Sequence, residues 1–301
     1  MIFKLSRKWR EALTDLMLAG PATLAMGILI FIPVVIVAFL SFTDYQMGVK
    51  NLNWVGFDNY KTLISDPIGR RAIVNTLLYV AIVVPFSIVL SLLVAMGLHG
   101  MASWNETFSK ALRAAYFLPV AATLVAMALA WQMLLHPSIG LINMALIYTG
   151  LPAPAWFSDR GLVMYTLAII GIWQSVGYNM VLFLAGLAVI PQQLYDAAEV
   201  DGATTVWDRF WTVTWPMLGP TTLFVAVITA TTAFRVFETV ATLTQGGPAF
   251  ASDTLVYALY REGFVYFKVS YACAITIVFF VFVCTLTILE YRVLQKRVHY
   301  T

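Results

Sequence analysis

Six long stretches of this chain contain no Asp, Glu, Lys or Arg, and they constrain its fold more than any other feature. A helix needs about 20 apolar residues to cross the hydrocarbon core of a bilayer, where its backbone groups can bond only to each other. Each stretch reaches that length. The uncharged stretches are 16–43, 72–105, 114–158, 161–195, 210–234 and 269–289.

Composition agrees with a membrane protein, because 61% of the residues are hydrophobic and 11% are charged, against about 25% charged in a soluble domain. We predict an all-α integral membrane protein with six transmembrane helices. The first apolar stretch is too long for a signal-peptide core, so we expect it to be retained. The predicted spans are 16–41, 73–98, 111–135, 162–187, 218–240 and 269–291.

The third stretch leaves an alternative open, since a second span at 139–151 would invert the rest of the topology. That piece has about 13 residues, which is short of a span. It is bracketed by Pro137, Gly140, Pro152 and Pro154, a pattern typical of a surface loop with one helix at the interface. We therefore expect six spans.

With six spans, both termini lie on the same side of the membrane. Ten basic residues fall on that side and seven on the other, so the positive-inside rule predicts cytoplasmic N- and C-termini. The ten are Lys4, Arg7, Lys8, Arg10, Lys110, Arg113, Arg209, Arg292, Lys296 and Arg297; the seven are Lys50, Lys61, Arg70, Arg71, Arg160, Arg261 and Lys268.

The polar segment 188–216 interrupts this apolar pattern and should face the cytoplasm. Leu194, Ala197, Ala198 and Asp201 share one helix face by their three- and four-residue spacing, and Gly202 follows as a helix end. We predict two short helices that form a compact knob, with small residues inside and carboxylates outside, that enters a cleft on a soluble partner. An amphipathic loop on lipid headgroups is less favoured, because an anionic surface repels carboxylates.

Two ordered motifs carry a family resemblance. The run YDAAEVDGA from Tyr195 to Ala203, followed by Phe210 and Pro216, resembles the EAA loop of the permease subunits of binding-protein-dependent ABC importers. Downstream, FE at 237–238 and LTQGGP at 243–248 resemble the first of the two permeases in the carbohydrate-uptake branch. That branch includes the maltose, lactose and glycerol-phosphate permeases.

The resemblance implies the type I ABC importer permease fold, with cytoplasmic EAA coupling helices that contact an ATPase. The family usually has glutamate where this chain has Asp196, which shortens the side chain by one methylene, and we expect the contact to persist. The implied ATPase-coupling residues are Tyr195, Asp196, Ala197, Ala198, Asp201, Gly202, Ala203 and Phe210.

The sequence contains no G-x-x-x-x-G-K-[ST] phosphate loop. We therefore expect a transport subunit that is not itself an enzyme, with no cofactor of its own and with ATP and Mg bound by two separate ATP-binding subunits. The resemblance further implies a second permease subunit in a heterodimer, a periplasmic solute-binding protein and a surrounding lipid bilayer. No nucleic-acid partner is expected.

Polar residues inside spans are the expected markers of a transport pathway. Two helix faces carry them, and the same positions match those lining the sugar site of the resembling maltose permease. We expect Tyr178 or Trp173 to stack on a sugar ring while Gln174 and the threonines bond hydroxyls, although Ser and Thr in spans often bond backbone instead. The predicted substrate residues are Gly171, Gln174, Ser175, Tyr178, Thr229, Thr232, Ala233 and Val236.

Arg235 is a strong base at the end of an apolar run. A buried arginine needs a partner, and Glu238 lies three residues on, so we expect a structural ion pair. The alternative is that Arg235 attracts an anionic solute such as glycerol 3-phosphate or a sulfonated sugar.

The Gly- and Pro-rich segment 242–264 is predicted to face the periplasm, where Gly246, Gly247 and Pro248 help to dock the binding protein. The predicted organisation is an N-terminal part at 1–72, a permease core at 73–291 that includes the coupling loop, and a cytoplasmic tail at 292–301.

Two other classes are less favoured. A secondary transporter should show inverted halves or paired broken helices, and the sequence shows no such repeat. An intramembrane enzyme needs H-E-x-x-H or paired carboxylates inside its spans, and the histidines lie at or outside the span ends. We predict neither catalytic residues nor a metal site.

Overall fold

The computed structural model describes residues 7–50, 52–102 and 105–297; Lys4 and the last four residues of the predicted tail lie outside the described residues. Within those ranges the chain is helical apart from its loops and one isolated antiparallel bridge between Thr43 and Trp54. The helices are α1 (Arg7–Met26), α2 (Ile32–Leu40), α3 (Asp58–Ser65), α4 (Pro67–Ala102), α5 (Glu106–Ala121), α6 (Leu124–Leu134), α7 (Leu141–Tyr148), α8 (Val163–Ala188), α9 (Gln192–Val200), α10 (Val206–Arg209), α11 (Trp215–Met217), α12 (Gly219–Phe234), α13 (Glu238–Leu243), α14 (Leu255–Tyr260) and α15 (Val269–Arg297), with π-helical turns at Gly27–Phe31, Phe210–Thr214 and Arg261–Val265.

Five helical segments of the described residues are long and apolar enough to cross a membrane, and a bent pair of helices makes a sixth if it is counted as one span. The predicted all-α membrane fold is confirmed. The five segments are Met17–Leu40, Pro67–Met101, Val163–Ala188, Gly219–Leu243 and Val269–Leu289.

The third predicted span is not one straight helix. Helices α5 and α6 meet at an angle of 104°, so the expected continuous helix over 111–135 is wrong. The chain is extended at Ala122 (ψ 149°), and the Thr123 hydroxyl caps α6 by accepting from Ala126 N. Because Thr is a favoured N-cap residue, a new helix begins where an apolar pattern alone shows no break.

Residues 139–151, the alternative span, contain only the eight-residue helix α7. The buried Asn143 holds this region together: its side-chain nitrogen donates to the carbonyls of Pro137 and Pro154, and its side-chain oxygen accepts from Trp156 Nε1 at 2.7 Å. A helix of eight residues is about 12 Å long at 1.5 Å per residue. It cannot cross a bilayer.

The chain divides into two compact units, residues 1–63 with 259–278 and residues 64–258 with 279–301. In the first unit, Asp44 accepts from the backbone and side-chain nitrogens of Asn53, and the Thr43 hydroxyl bonds that of Ser270 at 2.8 Å. The predicted boundaries at residues 72 and 291 stay predictions.

The second unit is built around α8, which packs against α4, α5 and α12. Gly177 permits the contact with α5, because a Cβ there would collide with the Tyr116 carbonyl oxygen. Two apolar clusters fill the unit. One includes Tyr79, Val83, Leu167 and Ile170; the other includes Leu92, Phe183, Leu187, Leu218 and Val225.

Candidate functional site

A cavity of about 790 Å³ opens among α4, α8 and α12 in the second unit, and we call it the central cavity. All eight residues predicted to bind substrate line it. Its wall also includes α4 residues, the region of the α5–α6 bend, and the chain just after α12. The lining residues used below are Tyr79, Val83, Gly171, Gln174, Ser175, Tyr178, Asn179, Thr229, Thr232, Ala233, Arg235, Val236, Phe237, Glu238 and Val256.

Helix periodicity explains this gathering. On α8, residues 171, 174, 175 and 178 follow the three- and four-residue spacing of one helix face, and residues 229, 232 and 233 follow it on α12. Val236 lies two residues beyond the end of α12 at Phe234. Because α8 and α12 pack against each other, the two faces meet. The sequence pattern therefore predicted a shared surface correctly, while a substrate role for these residues stays a prediction.

Hydrogen bonding divides the polar residues of the cavity into two groups. The Ser175 hydroxyl donates to the Gly171 carbonyl at 2.8 Å, and Asn179 Nδ2 donates to Thr229 Oγ1 at 2.9 Å. These bonds fasten α8 internally and join it to α12, as Ser, Thr and Asn often do in membrane helices. Ser175 and Thr229 thus have structural bonds.

The second group has side chains with no hydrogen-bond partner among the described residues. Its members are Gln174, Tyr178 and Thr232. Tyr178 is 40% exposed, and it lines the central cavity. These three side chains offer donors, acceptors and an aromatic face on a surface that is otherwise largely apolar. This mixture is typical of a small-molecule site.

Two charged residues lie at the break between α12 and α13. Helix α12 ends at Phe234 with Arg235 as its C-cap, and α13 begins at Glu238. The predicted Arg235–Glu238 ion pair is wrong: no such pair forms in the part of the chain that the structure describes, and both side chains are exposed on the central cavity. The i,i+3 geometry of a continuous helix does not apply across the break.

Sequence reasoning missed Tyr79 and misplaced Trp173. Tyr79 lies on α4 and is only 5% exposed, yet it lines the central cavity. The Trp173 indole instead contacts Trp131 edge to face at 5.4 Å and lies outside the cavity lining. A lone tyrosine in an apolar run gives no periodic signal, so the sequence offered no way to find it.

The 188–216 segment forms two short helical pieces, as predicted. Helix α9 ends at Val200, Asp201 caps it, and Gly202 then takes a φ of +96°, a region that glycine enters without steric cost. The second piece starts with a capping box, in which the Thr205 hydroxyl accepts from Asp208 N and the Asp208 carboxylate accepts from Thr205 N. Helical structure then continues to Met217.

Three contacts join the two pieces to each other and to the spans. The Tyr195 hydroxyl bonds Thr214 Oγ1 at 3.0 Å, and Arg209 pairs with Glu199 at 3.0 Å. Phe210 packs against the apolar cluster that contains Phe183. The Tyr195 bond therefore holds the two pieces together, and Phe210 ties the segment to the core of the second unit.

The predicted knob differs from the structure in one respect. Ala203 is buried, but Ala198 is half-buried and Ala197 and Gly202 are exposed. With Asp201, these residues line an open groove of about 590 Å³ between the helical pieces. The pieces meet at Tyr195 and Arg209 instead, which keeps the alanine face clear. Asp196 is exposed, and its carboxylate accepts from its neighbour Gln192 at 3.1 Å, with no other partner in the part of the chain that the structure describes.

The Gly-Gly-Pro turn is held rigidly within the second unit. The Ser252 hydroxyl contacts the Gly247 carbonyl and Thr244 Oγ1, Arg71 donates to the Ala249 carbonyl, and Asn75 Nδ2 donates to the carbonyls of Ala251 and Asp253. Gly246 has a φ of +77°. Gly247 and Pro248 line a second cavity of about 410 Å³, whereas Gly246 lies against Tyr257.

The chain is similar to known transport proteins over most of its length. It is 33% identical over 257 residues to a probable ABC transporter permease of Pyrococcus horikoshii, covering 85% of this chain and 86% of that protein. It is 31% identical over 251 residues to the sn-glycerol-3-phosphate transport system permease protein UgpA of Agrobacterium fabrum, covering 82% and 83%. These relatives confirm the resemblance to carbohydrate-type permeases.

Solved structures agree. A chain of a bacterial ABC transporter involved in the import of the acidic polysaccharide alginate matches with a TM-score of 0.79 at 25% identity, over 95% of this chain and 99% of that one. A chain of a bacterial alginate ABC transporter in complex with a pentasaccharide-bound periplasmic protein has the same fold, with a TM-score of 0.79 at 24% identity over 95% and 96%.

Residues 70–300 match the family of inner membrane components of binding-protein-dependent transport systems. With the two motifs, the apolar spans and the permease fold, this match places the chain in the inner membrane as a multi-pass protein. The chain belongs to that family and is an ABC importer permease.

Proposed function

We propose that this permease carries a sugar or sugar-like solute through the central cavity. The observation that supports this proposal is the convergence of both predicted polar faces on one cavity, with Gln174, Tyr178 and Thr232 free of partners among the described residues. A sugar presents hydroxyl groups around apolar ring faces. The Tyr178 ring can pack on such a face while Gln174 and Thr232 bond hydroxyls.

The transport step is proposed to be driven by partner subunits. Two ATP-binding subunits would hold ATP and Mg and contact the 188–216 segment through Asp196 and the alanine-lined groove. Phe210 packs against the apolar cluster of the spans, and the Tyr195–Thr214 bond joins α9 to the helical piece that leads into α12, so movement of the ATPases would shift the walls of the cavity. Coupling of this kind requires a stiff element between the two sites.

The remaining partners follow the orientation predicted from the basic residues. The termini and the 188–216 segment would face the cytoplasm, and the turn at Gly246, Gly247 and Pro248 would face the periplasm and help to dock a solute-binding protein. A second permease subunit would complete the pathway. The rigid hydrogen bonding of the turn through Ser252 and Asn75 suits a docking surface.

Reconstitution tests this proposal. The permease is co-expressed with a candidate second permease, ATPase and binding protein from the same genome, and uptake of radiolabelled maltose and sn-glycerol 3-phosphate into proteoliposomes is measured. We expect an ATP-binding subunit to copurify with the permease. We also expect uptake to require ATP inside the vesicles, on the membrane side where the 188–216 segment and the ATPases lie. Uptake driven by an ion gradient without ATP would instead support a secondary transporter.

A second candidate is an anionic solute, and the position of Arg235 favours it. Its side chain is exposed on the central cavity and forms no ion pair in the described ranges. A guanidinium at such a position is available to a phosphate, sulfonate or carboxylate group. Glu238 on the same cavity opposes this attraction, so the two charges must be tested separately.

The two charges give opposite expectations. With an anionic solute, Arg235→Gln should raise the KM for sn-glycerol 3-phosphate about tenfold or more, and Glu238→Gln should leave it unchanged or lower it. With a neutral sugar, Arg235→Gln should change maltose uptake by less than about twofold. Equal losses for both solutes would show that Arg235 has a structural role.

A further inference from the structure

Tyr79 is a buried polar residue that neither predicted face contains. Its side chain is 5% exposed and belongs to the apolar cluster of α4 and α8, but it also lines the central cavity. Its hydroxyl has no hydrogen-bond partner among the described residues. The Tyr79 oxygen keeps some exposed surface, and because Tyr79 lines the central cavity, this oxygen can bond a molecule held there.

Two other hydroxyls of α4 bond within the helix, whereas the buried Ser87 Oγ has no partner among the described residues. Thr76 Oγ1 donates to the Ala72 carbonyl, and Ser91 Oγ donates to the Ser87 carbonyl. Short side chains reach a carbonyl of the preceding turn, whereas a phenol oxygen lies too far from its own backbone to do so. The partner of Tyr79 must therefore come from outside its helix.

The neighbouring helix makes room for this hydroxyl. Gly171 of α8 faces Tyr79, and a Cβ at that position would collide with the Tyr79 oxygen and lie 3.0 Å from its Cζ. Val83 Cγ2 would be 3.5 Å away. The missing side chain of Gly171 is thus a notch that accepts the end of the tyrosine at the edge of the cavity.

We infer that the Tyr79 hydroxyl hydrogen-bonds the transported solute, which makes α4 a third wall of the site beside α8 and α12. The inference rests on the proposed role of the central cavity. The notch at Gly171 fixes the ring, and the solute supplies the bond that the protein leaves open.

Uptake kinetics test the inference in the reconstituted importer, with radiolabelled maltose and sn-glycerol 3-phosphate as probes. Tyr79→Phe removes one oxygen and keeps the ring, so we expect the KM for the carried probe to rise about three- to tenfold, the effect of one neutral hydrogen bond, while Vmax is unchanged. Tyr165→Phe on the exposed side of α8 is the matched control and should match the wild type.

Gln174→Ala separates the two levels of the argument. A raised KM for Gln174→Ala with a wild-type KM for Tyr79→Phe would overturn the inference and leave the proposed site intact. Wild-type kinetics for both variants would overturn the proposed site, and the inference with it. A raised KM for both supports both.

The notch gives an independent arm. Gly171→Ala should raise the KM more in the wild type than in the Tyr79→Phe background, because the colliding oxygen is gone. Equal effects in the two backgrounds would contradict the notch and overturn the inference.

If neither probe is transported, cysteine labelling at residue 79 tests the inference instead. In the full complex with Cys273 and Cys284 replaced by Ser, Tyr79→Cys should react with a charged methanethiosulfonate reagent, while Val163→Cys, at a fully buried position, should not. Failure of residue 79 to react would overturn the inference.

Discussion

The central cavity and the 188–216 segment both place polar side chains beside apolar spans, but they treat hydrogen bonds differently. In the cavity, Gln174, Tyr178 and Thr232 lack partners in the described part of the chain. In the segment, Tyr195 bonds Thr214 and Glu199 pairs with Arg209. A surface that binds a solute needs donors and acceptors that are not bonded within the protein. An element that transmits movement is stiffer when its donors and acceptors bond each other.

The largest expected effect comes from cutting the segment off from the spans. Phe210→Ala removes an aromatic side chain from its apolar cluster, which should cost about 2 kcal/mol of local packing. We expect ATP-driven uptake to be lost while thiol reagents still reach a cysteine placed in the central cavity. Phe224→Ala, at an aromatic side chain of α12 that is 52% exposed, is the control, and preserved uptake in Phe210→Ala would contradict the proposed mechanical link.

The next effect sharpens the distinction inside the cavity itself. Gln174→Ala removes an open hydrogen-bonding group and should raise the KM about tenfold, which corresponds to about 1.4 kcal/mol. Ser175→Ala removes a hydroxyl already bonded to the Gly171 carbonyl, so its KM should change less than about twofold. The comparison fails if Ser175→Ala has the larger effect in uptake assays.

A smaller effect is expected where the segment turns. Gly202→Ala places a Cβ at a φ of +96°, which should cost about 1 kcal/mol. We expect lower maximal uptake with an unchanged KM, because the cavity is untouched. Gly219→Ala, at a glycine with open space around it, is the control. A raised KM for Gly202→Ala would contradict the claim that the segment and the cavity have separate effects on uptake.

The smallest effect is expected from the loss of one hydrogen bond within the 188–216 segment. Tyr195→Phe removes the hydroxyl that bonds Thr214 and should cost about 0.5–1.5 kcal/mol. Uptake should fall modestly at constant KM. Thr214→Val also removes the bond from Thr214 Oγ1 to the Arg209 carbonyl at 3.4 Å, so its loss should be at least as large, and adding Tyr195→Phe to it should cause no further loss. Fully additive losses in the double variant would show that this bond does not couple the two helices.

The spans and the two polar faces were predictable because each depends on a local pattern. Uncharged runs longer than a membrane is thick give spans, and three- and four-residue spacing gives the faces of α8 and α12. The breaks were not predictable in the same way. The cap at Thr123 and the end of α12 at Phe234 interrupt apolar runs without a proline or glycine at the break.

The sequence by itself determined that this chain is a helical membrane protein, which residues share a helix face, and where the EAA-like and Gly-Gly-Pro motifs lie. Only the tertiary structure decided which hydroxyls are already bonded, that Arg235 and Glu238 stand apart, and that Tyr79 meets the notch at Gly171. The physical reason is range: periodicity and span length act within one helix, whereas these contacts join residues that the packing of separate helices brings together.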